Sequence, residues 1–189
     1  MKSGRSEKAA NANPPPAERV RDFPPSLFSR PISLPVSAGS KPLYKEGTDM
    51  EYRSFGDVYV VRLDRGEEVL SSLAAFCKAE GIALASVEAI GATDHTVVGV
   101  YDVATRRYDK KTYEGSMEIT SLVGNITRRD GEPYLHLHIN LCGEDAQVIG
   151  GHLNECRISI TCEMFVRTVP GKVERKADAE TGVNLFSFD

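Results

Sequence analysis

From Leu135 to Cys142 the chain alternates without a break: Leu135, Leu137, Ile139 and Leu141 against His136, His138, Asn140 and Cys142. A period of two is the repeat of a β-strand, whose successive side chains point to opposite faces. This segment therefore carries one apolar and one polar face, and a chain that contains it must build a sheet with one side covered. Three of the four histidines fall within seventeen residues, two of them here and the third in Gly150-Gly151-His152-Leu153. Two imidazoles on one strand face lie roughly 6–7 Å apart at the backbone. That is close enough to converge on one ion at about 2.0–2.1 Å per Zn–N bond. A third imidazole on a Gly-Gly turn, where backbone can approach closely, would complete a three-histidine site with an open position. The plainer alternative is that His136, His138 and Asn140 form the solvent face of an amphipathic strand. If the site is real, Asn140, Thr161 and Glu163 are the neighbouring polar residues that could orient its rings, although Glu163 reads equally well as a surface charge.

Composition divides the 189 residues near Met50. Eight of the ten prolines precede it, in a segment without apolar periodicity that reads as a disordered leader over 1–49. The leader is expected to be an upstream extension, with Met50 an alternative start. It carries 8 Lys/Arg against 5 Asp/Glu, a net of +3, whereas 50–189 carries 15 against 22, a net of −7; together they make the −4 of the chain. An acidic folded part disfavours duplex DNA, which attracts basic surfaces. No apolar run reaches membrane-spanning length, and the leader lacks the apolar core of a secretory signal. Cys77, Cys142, Cys156 and Cys162 show no CxxC spacing and read as reduced thiols of a cytoplasmic protein.

Within 50–189, read as a single domain, Asp57–Asp64 is a first strand. Glu67 and Glu68 open a helix striped by Val69, Leu70, Leu73, Ala74 and Cys77 and stopped by Gly81. Ile82–Ala92 is almost wholly apolar and reads as a strand buried on both faces. Val97–Tyr101 and Tyr108–Tyr113 are short strands. Glu118–Thr127 and Tyr134–Cys142 flank Asp130-Gly131, a strong hairpin signal. Arg157–Arg167 alternates with Ile158, Ile160, Cys162, Met164 and Val166 on one side, and 184–188 is a polar tail closed by an apolar clip. The fold class is α+β: a compact domain with a largely antiparallel or mixed sheet and one main helix.

Glu88 interrupts the apolar run 82–92, where a lone carboxylate is costly unless paired or protonated. It is a candidate general acid or base, or a partner for an arginine, or an edge residue. Glu163 is the second candidate proton carrier. His95 is expected in an exposed turn. The pairs Arg106-Arg107, Lys110-Lys111 and Arg128-Arg129 sit at hairpin ends, as solvated turns or as a polyanion patch. Phosphate-binding loops, a GxSxG elbow and an HExxH helix are all missing from the sequence.

Gly124-Asn125-Ile126, His136-x-His138, Gly150-Gly-His-Leu153 and Ile158-Ser-Ile-Thr-Cys-Glu-Met-Phe165 together resemble the plants-and-prokaryotes-conserved (PPC) domain, over roughly Phe55 to Val169. The resemblance implies a homotrimer whose counterparts of His136, His138 and His152 hold a divalent metal, often zinc, near the subunit contacts. In plants the domain follows an AT-hook that grips DNA. Here there is no Arg-Gly-Arg-Pro hook, and Ser29-Arg-Pro-Ile32 is only a fragment of one. Stand-alone bacterial members are often labelled DNA-binding. A more distant likeness, to zinc-dependent acetolactate decarboxylase, carries over only the three histidines.

Three functions follow as expectations. The first is a trimeric protein of accessory or regulatory role that binds a divalent metal or a small-molecule ligand. The second is a DNA-associated protein relying on the basic pairs. The third is a zinc enzyme using Glu88 or Glu163.

Overall fold

The computed structural model describes residues 50–188; the leader assigned to 1–49 lies outside them. Strands β1 (Glu51–Phe55) and β2 (Val58–Asp64) form a tight hairpin through Gly56, at φ 68°. Helix α1 (Val69–Glu80) follows as expected. The Glu68 carboxylate caps it, accepting from the Leu70 and Ser71 amides at 3.0 and 2.7 Å. Such a cap satisfies amides that the first turn leaves without partners. Gly81 ends the helix at φ 67°, in the left-handed region that costs glycine least. Val69, Leu73, Phe76 and Cys77 face inward.

Four long strands then carry the molecule: β3 (Ala85–Asp102), β4 (Arg107–Arg129), β5 (Glu132–Cys142) and β6 (Val148–Thr168). β3 pairs with β4 and β6, and β5 also pairs with β4 and β6, all antiparallel. These four therefore close on themselves, a route by which a sheet removes its open edges. β2 adds to β6, while β7 (Glu174–Ala177) and β8 (Asn184–Ser187) form a hairpin joined to β4 by one parallel bridge. The result is a largely antiparallel, mixed sheet with one helix, which packs on β5 and β6. Leu137, Ile139 and Leu141 of β5 point into the core with Leu122, Ile126, Phe76 and Met164. Each such side chain contributes about 1.5–3 kcal/mol by leaving water.

The β4–β5 hairpin turns at Asp130-Gly131, with φ of 52° and 83°, as the dipeptide predicts. Four expectations need correction. Ile82–Ala92 is not buried on both faces: its strand begins at Ala85 and alternates, with Val87 inside and Ile90 59% exposed. The short strands 97–101 and 108–113 are the far halves of β3 and β4, which run on past register shifts near Ala89 and Thr93. At the second shift Thr93 is fully buried; its hydroxyl accepts from the His95 amide at 3.2 Å and lies 2.7 Å from the Arg157 carbonyl oxygen, so the irregular backbone keeps its partners. Ile160 does not join the inward row: the β3–β6 register jumps from Cys162 to Ile158, and Ile160 turns outward at 69% exposure. Gly150-Gly151 is no turn, since both residues lie within β6. No helix among the described residues is long and apolar enough to cross a membrane. The four cysteines are free thiols.

Candidate metal centre

His136 and His138 project from the polar face of β5, and His152 comes from β6, where it pairs directly with His138. Their ring centroids stand 5.1–5.5 Å apart. One nitrogen of each lies within 4.8 Å of the others, so the three could hold a metal ion. A tetrahedral ion with bonds of about 2.0–2.1 Å sets its ligand nitrogens roughly 3.4 Å apart. The rings thus need to close by no more than roughly 1.4 Å, which side-chain rotation provides.

Glycines make this convergence possible. Gly150 lies across from Asn140, and a Cβ on it would collide with the Ile139 carbonyl. Gly99 sits opposite His152 in β3, and a Cβ there would enter the Tyr108 ring. Tyr108 instead lies over Gly99 with its ring edge-on to His152, 6.2 Å between centroids. Asn154 fixes that placement, its amide nitrogen donating to the Tyr108 hydroxyl at 2.7 Å and the His152 carbonyl at 2.9 Å.

The trio opens into a cavity of about 820 Å³, walled by Val100, Tyr101, Tyr134, Leu185 and Phe186 among others. Burial, helped by Arg175 and the other two rings, pulls the His136 pKa down from 6.5 to about 4. Burial, then His138 and Arg175, lowers that of His152 as well. Neutral rings keep the lone pairs that ligation needs. An all-imidazole donor set suits zinc, copper, iron or nickel better than calcium or magnesium, which prefer oxygen.

Arg175, on β7, is the residue that the sequence did not announce. It is 7% exposed and stacks between Tyr134 and Phe186, its guanidinium carbon 4.7 and 4.5 Å from their ring centroids. Nε donates to Thr127 Oγ1 at 2.9 Å, Nη1 to the Asn184 carbonyl at 2.7 Å and Nη2 to Asn125 Oδ1 at 2.8 Å. Nη2 also stands 3.3 Å from Nδ1 of His136. Tyr134 and Arg175 give no pattern that marks them beforehand; the apolar clip at 184–188 was visible, but not that it walls this cavity.

The expected orienting residues do not reach the rings. The Asn140 amide donates to Ser121 and the Thr161 hydroxyl to the Leu63 carbonyl. Glu88 is an exposed outer-face residue of β3, near Phe165 and Arg167, because strand alternation sends positions 86, 88 and 90 outward. Glu163 is exposed eleven residues along β6 from His152, beside Ile90 and Ile160. Neither candidate proton carrier joins the histidines. His95 is not in a turn either: it lies within β3, with Nδ1 2.7 Å from Glu114 and Nε2 3.3 Å from Glu155. The basic pairs are locally engaged, Arg107 with Asp109, Arg106 with the carbonyls of Ala179 and Glu180, Lys111 over Tyr113, and Arg129 with Asp130.

The profile of the Plants and Prokaryotes Conserved (PCC) domain matches residues 50–170, and the chain belongs to that family. Similar solved structures include a proposed DNA-binding protein from Bacteroides thetaiotaomicron, with 32% identity and a TM-score of 0.72, covering 74% of this chain and 97% of that one. A metal-containing protein from Archaeoglobus fulgidus shares 36% identity at a TM-score of 0.66, covering 71% and 95%. A plant- and prokaryote-conserved protein from Pyrococcus horikoshii shares 34% at 0.65, covering 72% and 94%. Acetolactate decarboxylase from Bacillus subtilis is remote, at 11% identity and a TM-score of 0.44 over 65% of this chain and 57% of that one, and carries no argument. No curated protein matches the chain.

Proposed function

We propose that this PCC-domain protein is a cytoplasmic homotrimer that binds a divalent metal ion, zinc by preference, through His136, His138 and His152, in an accessory or regulatory role. The observation that carries the reading is the convergence of three nitrogens within 4.8 Å, two of them on rings, His136 and His152, whose pKa burial lowers. The Archaeoglobus fulgidus relative, described as metal-containing, supports it. Bound there, the ion would supply a Lewis-acidic position open to the cavity. The chain's own residues do the rest. His138 and His152 are paired across two strands, His136 is set by its strand, and Tyr108, Tyr134 and Phe186 line one side of the cavity. No Asp or Glu lines the cavity among the described residues, so a site for binding is favoured over one for proton transfer.

Elemental analysis of tag-free protein is the test. Near-stoichiometric zinc in wild type, lost in His136→Ala/His138→Ala, is expected; no metal in either, even after incubation with zinc, overturns the reading. For the trimer, exposed Ile90, Val100, Val123, Ile160 and Phe165 offer apolar surface. Light scattering should give about three times 20.7 kDa.

The Bacteroides thetaiotaomicron relative favours DNA as a second reading. It requires the basic pairs to outweigh a net −7 over 50–189. Binding that weakens steeply with salt would support it, and no binding at about 50 mM salt would remove it.

A further inference from the structure

Among the described residues, Arg175 is a buried cation with no carboxylate partner. Its contacts are a hydroxyl, a backbone carbonyl, an amide oxygen, an imidazole nitrogen and two aromatic faces. Buried charges are ordinarily paired, because an uncompensated one is costly to desolvate. The cavity beside it has no acidic residue on its wall among the described residues. A divalent ion held by His136, His138 and His152 would add further positive charge within reach of the guanidinium. The site as built is therefore short of negative charge.

The contact between Arg175 and His136 sharpens the point. Nη2 can donate to Nδ1 only while that nitrogen carries a lone pair. A metal on Nδ1 takes the lone pair; a metal on Nε2 leaves the ring's proton on Nδ1. In either case metal loading frees a guanidinium N–H beside the open coordination position. Apart from Asn125 and Asn184, the rest of the wall is mostly aromatic and aliphatic, with Tyr101, Tyr134, Leu185 and Phe186 offering room for a flat apolar body.

We infer that this cavity binds a small organic carboxylate with an apolar body, one carboxylate oxygen on the histidine-bound metal and the other on Arg175. The inference rests on the metal reading above and names its ligand. A carboxylate fits better than a phosphate, because one planar guanidinium in an apolar wall matches a two-oxygen anion, whereas a phosphate calls for several donors. Charge-assisted hydrogen bonds of this kind separate an anion from its neutral isostere by roughly tenfold or more.

The experiment uses the full chain loaded with cobalt(II), whose visible absorption reports its ligands, with metal content measured in every sample. Benzoate is the probe, benzamide its neutral counterpart, and inorganic phosphate the competing anion. Expected are a benzoate-dependent change in the cobalt spectrum, benzamide at least roughly tenfold weaker, and a similar loss for benzoate in Arg175→Gln with partial rescue in Arg175→Lys. Comparable binding of benzamide, or of benzoate to chelator-treated protein, overturns the two-point anchor while leaving the metal site intact. Tighter binding of phosphate than benzoate overturns the carboxylate assignment. Absence of metal from wild type removes both readings, and metal content alone tells that failure from the others. Should Arg175→Gln fold poorly, the comparison of benzoate with benzamide on wild type still decides.

Discussion

Two groups of histidines share the β3–β6 sheet in opposite surroundings. In the cavity, His136, His138 and His152 face one another and Arg175, with no carboxylate on the wall among the described residues. At the other, His95 is held between Glu114 and Glu155, with a carboxylate oxygen at each ring nitrogen. The contrast shows what a strand can do with the same side chain. His95 has both nitrogens engaged and none left for an ion, so it ties β3 to β4 and β6. The cavity rings have no acid on their wall among the described residues, and one nitrogen of each lies within 4.8 Å of the others. Local pairing, more than residue type, separates a structural histidine from a candidate ligand.

The strongest way to break this contrast is to exchange the roles. His138→Ala should abolish nearly all bound metal, and His95→Ala should leave it near stoichiometric; elemental analysis of both variants reads the difference. Equal loss from the two would end the distinction. Next in size is the effect of metal on folding. Chelation of wild type should lower Tm by roughly 5–10 °C if the ion is present at about a hundred times its Kd. Differential scanning calorimetry should show no such shift in His138→Ala, whereas His95→Ala should still respond.

The alternation 135–142 placed both β5 histidines on one face from sequence, because a period of two leaves a strand no other choice. Glu68 and Gly81 were likewise legible as helix ends, each acting through its own backbone neighbours. What stayed hidden depended on pairing between distant segments. Glu88 stayed open between a buried acid, an arginine partner and an edge residue because apolar residues surround it in sequence; the sheet covers only one face of that strand and leaves it outside. Arg175 was illegible for a related reason. β7 is three charged residues and an alanine, and only the register of β7 with β8 and β4 brings its guanidinium between Tyr134 and Phe186. His95 was misplaced because a strand crossing two register shifts does not keep the periodicity by which a strand is recognised.

Acid separates the metal-free cavity from the rest of the fold by a smaller margin. The His136 pKa is lowered from 6.5 to about 4, so between those values the unfolded chain binds a proton that the folded chain refuses. Stability therefore rises with pH through this window, and acidification from 6.5 toward 4 destabilises the protein. Lowered His152 adds in the same direction. Chelator-treated wild type should lose Tm across this range more steeply than His136→Ala. Parallel Tm curves would show that the rings are not kept neutral by the fold.

The smallest expected effect lies at His95. Glu114 and Glu155 are each more than half exposed, at 66% and 53%, so water and salt screen what they contribute. Even between full charges, exposed pairs contribute only about 0–1 kcal/mol. Glu114→Gln/Glu155→Gln should accordingly cost no more than about 1 kcal/mol in urea unfolding, with metal content unchanged. An amide can still accept a hydrogen bond from the ring, so the geometry has a way to persist without the charge. If the double substitution instead released metal, the two histidine groups would be coupled through β6, where Glu155 sits three residues from His152. The cavity would then depend on the ion pairs beside it, and the separation between structural and ligand histidines drawn from their surroundings would not hold.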